Sequence, residues 1–254
     1  MKKSYNQILC FVCSLLIYIP AFSYNLKQIT NRDNLSNNSV TSLCQDYTGL
    51  LWIGTCDGLN MYNGKTVSTY KPKDSRNILS GNVIDRMVET ADGVLWVQTY
   101  YGLNKYDKKT NSLEHFDMFN KILFIEKDQL NNFYIVQDDN SIYYYLKSEN
   151  RFEMINVPGL VFNEIIGFAI DLNNKIWSFT VNETRLCYSI EQDKGGKIKL
   201  NKEGTYNHNK GVIYASNEKD MILFVDEEYD LYEFDINSDR PKRVTRIGDL
   251  TVQN

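Results

Sequence analysis

Histidine is nearly missing from this chain of 254 residues, with His115 and His208 standing far apart. A metal centre needs clustered His, Cys or carboxylate ligands, so none is expected, and Asp226-Glu227-Glu228 reads as a solvated loop rather than a calcium site. The short signatures of serine hydrolases, zinc proteases and phosphate loops are missing as well, which weighs against an enzyme. No cofactor is expected. Basic residues fall short of acidic ones, 28 against 32, and the net charge is −4. Nucleic acid rewards clustered Lys and Arg, so it is not expected as a partner. Helical spacing of apolar residues is almost absent from the chain after its first twenty-three residues.

One long apolar stretch exists, the fifteen residues from Ile8 to Phe22. Lys2 and Lys3 precede it, and Ala21-Phe22-Ser23 closes it in a small-x-small pattern, which reads as a secretory signal peptide over 1–23. It is shorter than the ~20 residues a bilayer span needs, and Ser14 and Pro20 interrupt it. Cleavage near Ser23/Tyr24 would remove two lysines and no acid, leaving an exported chain of net charge −6 with no membrane span.

What is present is a repeat. "GLLWIGTCDGLNMY", Gly49 to Tyr62, returns forty-four residues later as "GVLWVQTYYGLNKY", Gly93 to Tyr106, with eight of fourteen positions identical. Extended upstream, Leu35 to Asn63 pairs with Leu79 to Asp107, and Leu35/Leu79, Ser36/Ser80 and Asn38/Asn82 join the identities. Periods of this length mark solenoids, propellers or arrays. Within the first unit, two-residue alternation and turn residues predict strands over Val40–Gln45, Leu50–Thr55, Leu59–Tyr62 and Thr66–Tyr70. Four antiparallel strands per forty-odd residues is a propeller blade.

Weaker copies follow at Asn131–Tyr145, Asn173–Tyr188 and Asp220–Asp235, where Ile135, Trp177 and Phe224 are expected at the Trp96 position. Outer strands are expected to begin at Thr66, Ser112, Arg151, Lys197 and Lys242. The chain therefore reads as all-β, a propeller of about five four-stranded blades over 24–254. The blades fall roughly at 24–73, 79–118, 119–157, 158–204 and 205–248, with the start of a further blade at 249–254. "YNLKQIT", Tyr24 to Thr30, reads as a lone outer strand of the kind that closes a ring, and the abrupt end suggests a part of a larger propeller. Gly49, Gly58, Gly93 and Gly102 are expected in tight turns, and Trp52, Tyr62, Trp96 and Tyr106 between blades.

Of the five cysteines, Cys10 and Cys13 would leave with the leader, and three is no disulfide framework. Cys44 and Cys56 could pair, but the second copy carries Val88 and Tyr100 at those positions, so Cys44, Cys56 and Cys187 are expected as buried thiols.

The stretches "LSNNSVTSLCQDYTGLLWIGTCDGLNMYNG" and "LSGNVIDRMVETADGVLWVQTYYGLNKYD" resemble the two-component regulator propeller repeat of hybrid two-component sensors. The resemblance implies a periplasmic location, seven-blade propellers, and a sensor for oligosaccharides or glycan breakdown products. It also implies partners: the remainder of the sensor kinase, in which any kinase activity would reside, and a homodimer mate. A sialidase-type repeat is not matched, because Asp46 and Asp92 stand at the wrong distances before Gly49 and Gly93. In a propeller the loops between second and third strands share a face with the blade connectors. Here they offer Asp57, Tyr100, Tyr101, Asp138 and Asp139, with Arg76 on a connector. Tyrosines beside charged residues suit a carbohydrate, with its apolar ring faces and many hydroxyls, although packing of Tyr100 and Tyr101 between blades is an alternative. A different reading of the whole is a free-standing exported scaffold that binds a protein partner.

Overall fold

The structure, a computed structural model, describes residues 27–72, 79–119, 121–157, 165–181, 184–207, 212–218, 221–226, 228–235 and 242–246. The expected signal peptide, Tyr24 to Leu26, Arg76 and the segment from Ile247 to Asn254 lie outside the described residues.

Among the described residues twenty strands form five four-stranded antiparallel sheets, each a simple meander. Blade 1 is β1 (Val40–Gln45), β2 (Leu51–Thr55), β3 (Gly58–Tyr62) and β4 (Val67–Tyr70). Blade 2 is β5 (Ile84–Thr90), β6 (Val94–Thr99), β7 (Gly102–Asp107) and β8 (Ser112–Phe116). Blade 3 is β9 (Ile122–Lys127), β10 (Phe133–Gln137), β11 (Ile142–Leu146) and β12 (Arg151–Ile155). Blade 4 is β13 (Ile165–Ile170), β14 (Lys175–Thr180), β15 (Thr184–Gln192) and β16 (Ile198–Asn207). Blade 5 is β17 (Val212–Glu218), β18 (Met221–Asp226), β19 (Asp230–Asp235) and β20 (Lys242–Arg246). The first strands pack side by side in chain order, β1 on β5, β5 on β9, β9 on β13 and β13 on β17, as the innermost strands of propeller blades do.

The turns explain the spacing of the repeat. Gly49 and Gly93 hold φ of 86° and 85°, a left-handed conformation that disfavours a Cβ. Asn131 and Asn174 take the same position in blades 3 and 4 at φ of 63° and 58°, so the turn survives where glycine is lost. At Gly58 (φ 135°) a Cβ would also come within 2.9 Å of the Tyr70 carbonyl oxygen.

The polar identities of the repeat build a buried clamp. Asn60 accepts from the Ser36 N–H at 2.9 Å, and donates to Ser36 Oγ at 2.8 Å and to the Ile53 carbonyl at 3.1 Å. Ser36 Oγ also meets Thr55 Oγ1 at 2.8 Å. Asn104, Ser80, Val97 and Thr99 repeat every one of these bonds in blade 2. Each clamp ties the segment leading into a blade to that blade's second and third strands, and it satisfies main-chain groups that burial would otherwise leave unpaired.

Apolar side chains fill the spaces between blades. Trp52 and Tyr106 meet edge to face at 5.5 Å between blades 1 and 2, and Trp96 stacks on Phe133 at 4.2 Å between blades 2 and 3. Phe124 faces Phe168 between blades 3 and 4, and Trp177 faces Tyr206 on the side of blade 4 that also meets Tyr232 of blade 5. Removing one such fully buried ring would cost about 3–5 kcal/mol.

Several expectations change. Tyr134, not Ile135, occupies the Trp52 position: like Trp52, Trp96 and Trp177 it faces the following blade, whereas Ile135 faces back toward blade 2. Tyr62 is half-buried, with its hydroxyl donating to the Gly64 carbonyl and Lys27 lying over its ring. Lys27–Thr30 is not a strand, because Thr30 caps a short 3-10 turn (Asn31–Asp33) and its N–H donates to the Asp33 carboxylate. All three described cysteines are free thiols, but only Cys187 is buried. Cys44 is half-buried, and Cys56 is exposed because it sits in the β2–β3 turn.

Candidate functional site

The β2–β3 type turns and the blade connectors lie at one end of the blades, and the β1–β2 type turns at the other. At the first end Asp57 accepts from Lys71 Nζ at 2.5 Å and from Asn82 Nδ2 at 3.2 Å, which joins the turn of blade 1 to the lead-in of blade 2. Those two bonds hold its carboxyl below the usual range. Tyr100 and Tyr101 are 71% and 70% exposed, and their rings meet edge to face at 5.1 Å. They do not fill the space between blades. Their turn is held from beneath, by the Tyr100 N–H donating to the Val83 carbonyl and the Tyr101 N–H to Thr99 Oγ1.

Asp138 and Asp139 are exposed on the β10–β11 turn. The Asp138 N–H donates to the Lys121 carbonyl at 3.0 Å. The Asp139 carboxylate accepts from the hydroxyl and N–H of Ser141, which lowers its pKa and closes its own turn. The neighbouring Asn140 accepts from the Ile165 N–H and so ties blade 3 to blade 4. The structure thus joins Asp57 to Lys71 and Asn82, and Tyr100 to Tyr101, and commits Asp139 to local turn geometry.

A second group of residues, not foreseen from the sequence, lies along the innermost strands. A cavity of about 490 Å³ is lined by Thr41, Leu43, Asp85, Arg86 and Glu126 among others. Burial raises the Glu126 carboxyl to about 7, against the opposing pull of Arg86 and Lys127. Burial likewise raises Asp85, with Arg86 opposing. The Arg86 guanidinium also lies 4.9 Å over the Phe124 ring. The available signal was a charged residue inside an otherwise apolar strand, as in "ILFIEK". Among the described residues no group of three or more His, Cys, Asp or Glu is placed to hold a metal ion, and no helix is long and apolar enough to cross a membrane.

Residues 34–57 match the profile described as two component regulator propeller, so the first blade carries a repeat of that kind. Histidine kinase P4 of Formosa agariphila is 44% identical over 55 residues, 21% of this chain and 4% of the kinase. The extracellular domain assigned to a hybrid two component system of B. thetaiotaomicron superposes with a TM-score of 0.59 at 20% identity, covering 86% of this chain and 36% of that one. A second B. thetaiotaomicron extracellular domain, assigned to a one component system, gives 0.56 at 16% identity, over 88% of this chain and 38% of that one. A virginiamycin B lyase from Staphylococcus aureus, solved with quinupristin, gives 0.61 at 12% identity, over 86% and 72%. At these identities the solved structures establish the propeller fold, and the chain spans a little over a third of the two extracellular domains.

Proposed function

We propose that this two-component regulator propeller region is a ligand-sensing part of a hybrid two-component system, exported to the periplasm and without catalysis of its own. The profile match at residues 34–57 and the local identity to a histidine kinase support that setting. The ligand is an oligosaccharide or a related glycan breakdown product, met at the end of the blades that carries the β2–β3 type turns.

The observation that carries this reading is the exposed edge-to-face pair of Tyr100 and Tyr101 beside the Asp57–Lys71–Asn82 junction. Two large aromatic surfaces left in water by a rigid turn, next to fixed polar groups, are what a saccharide with apolar faces and hydroxyls can use. Asp138 and Asp139, exposed on the β10–β11 turn, extend the proposed surface. The test is a Tyr100→Ala/Tyr101→Ala variant of the longer sensor, titrated with oligosaccharides that bind the unaltered protein. Affinity should drop at least tenfold with no change in melting temperature, since neither ring is buried. Unchanged affinity would sink the proposal and favour a protein-binding scaffold.

A further inference from the structure

Among the described residues three blades share one device at the turn after the innermost strand. An aspartate accepts from the backbone N–H groups two and four residues later and from the ring donor six residues later. Asp46 takes Thr48 and Leu50 N–H and the Trp52 indole at 3.0 Å, and Asp171 takes Asn173 and Lys175 N–H and the Trp177 indole at 2.8 Å. Asp128 takes Leu130 and Asn132 N–H and the Tyr134 hydroxyl at 2.9 Å. All three carboxylates are buried.

Blade 2 departs from the pattern at one atom group. Thr90 stands where the aspartate should be, and its hydroxyl donates to Asp92 at 2.6 Å. The turn itself is unchanged: the Gly93 N–H donates to the Thr90 carbonyl at 3.0 Å, as Gly49 does to Asp46 at 2.9 Å. The Trp96 ring is buried, yet among the described residues its indole N–H bonds no protein acceptor and is not sealed from the cleft beside it. Neighbours do not fill the space. A cleft of about 380 Å³ opens there between blades 2 and 3, lined by Thr90, Asp92, Val94 and Trp96, the four positions of the device, with Asn132 and Tyr145 opposite. Lys147 of blade 3 bonds Asp92 at 2.6 Å, so the acid at the cleft is already paired.

We propose that this cleft binds a carboxylate-bearing small molecule, whose carboxylate takes the place that Asp46, Asp128 and Asp171 hold in their own blades. The cleft is of small-molecule size. An indole N–H that faces the cleft without a protein acceptor can donate to a bound group, and an ionised acceptor makes the stronger bond. A carboxylate is what the same turn and a ring donor hold in three other blades among the described residues. The site lies at the opposite end of the blades from Tyr100 and Tyr101, and it stands independently of the reading given to that surface.

The test is NMR of the ¹⁵N-labelled full chain, whose three tryptophans give three indole N–H resonances. The Trp96 resonance is identified by its loss in Trp96→Phe. Sodium acetate and sodium glucuronate are titrated against sodium chloride and glucose as controls. The expected result is a saturable shift of the Trp96 resonance with acetate, glucuronate or both, and none with chloride or glucose. Thr90→Asp, which restores the internal carboxylate, should abolish the response and move the resonance before any ligand is added. Thr90→Leu, which fills the same space without charge, is the second variant and should abolish the response too. Absence of a saturable shift with either carboxylate, an equal shift with chloride, or a response persisting in a folded Thr90 variant would each overturn the proposal.

Discussion

Replacing Lys108 by methionine should lower the stability of this propeller by about 3–5 kcal/mol at pH 7, the cost of removing one member of a buried ionic group. Lys108 follows β7 in blade 2, and its Nζ bonds Asp46 of blade 1 at 2.9 Å and also Glu89 of β5. The side chains of Asp46, Glu89 and Lys108 are 0%, 9% and 13% exposed, so water cannot replace the lysine cheaply. Burial opposes ionisation of Asp46, but bonds from Thr48, Trp52 and Lys108 outweigh it and hold the carboxyl well below its usual range. Methionine keeps the stem that packs and deletes the charge, which leaves two carboxylates facing one another. For a domain of ordinary stability, ~5–15 kcal/mol, the loss is large. Urea denaturation followed by tryptophan fluorescence reads it, with Trp52 bonded to Asp46 as a local reporter.

The pH dependence separates charge from packing. In the unaltered protein the depressed Asp46 contributes stability that is present above the ordinary carboxyl range and is lost as pH falls through its folded value. In Lys108→Met one carboxylate can take up a proton, so the deficit should shrink between pH 7 and pH 5. A loss below about 1 kcal/mol at pH 7, in the range of an exposed ion pair, would refute the reasoning. So would a deficit that stays constant between the two pH values.

Two further outcomes follow from the described geometry. Asn104→Ala removes the acceptor of the Ser80 N–H and the donor to the Val97 carbonyl, and should lower the urea-derived stability by about 2–4 kcal/mol while leaving the strand signature of the far-ultraviolet spectrum intact. Glu126 has a carboxyl raised to about 7, so its protonated form favours folding, and stability should fall as pH rises from the ordinary glutamate range through about 7. Glu126→Gln should flatten that part of the stability–pH curve, and an unchanged slope would argue that another group titrates there.

Much of the fold was legible because a repeat reports on itself. The β8, β12 and β20 strands begin at Ser112, Arg151 and Lys242, where periodicity placed them, and the first-blade strands differ from expectation by single residues. Phase was harder to read than period. The run "FYIV" at Phe133–Val136 is apolar throughout, so alternation cannot say which residue faces the next blade. The mark was Asp128, six residues before Tyr134, at the spacing of Asp46 from Trp52 and Asp171 from Trp177. Glycine is lost at Asn131 and Asn174, and the turn persists because asparagine tolerates the left-handed conformation it requires.

The sequence by itself determined the unit: its period, its strands and its turn residues, all of which depend on neighbours along the chain. Only the tertiary structure decided what lies across blades. The junction of Lys108 with Asp46 spans sixty-two residues, the surroundings of Glu126 come from three innermost strands, and the cleft at Trp96 is lined by residues of blades 2 and 3. Propensity and periodicity act along one strand at a time, whereas desolvation and ion pairing depend on which strands are adjacent. The chemistry peculiar to this chain arises where those adjacencies meet single departures from the repeat.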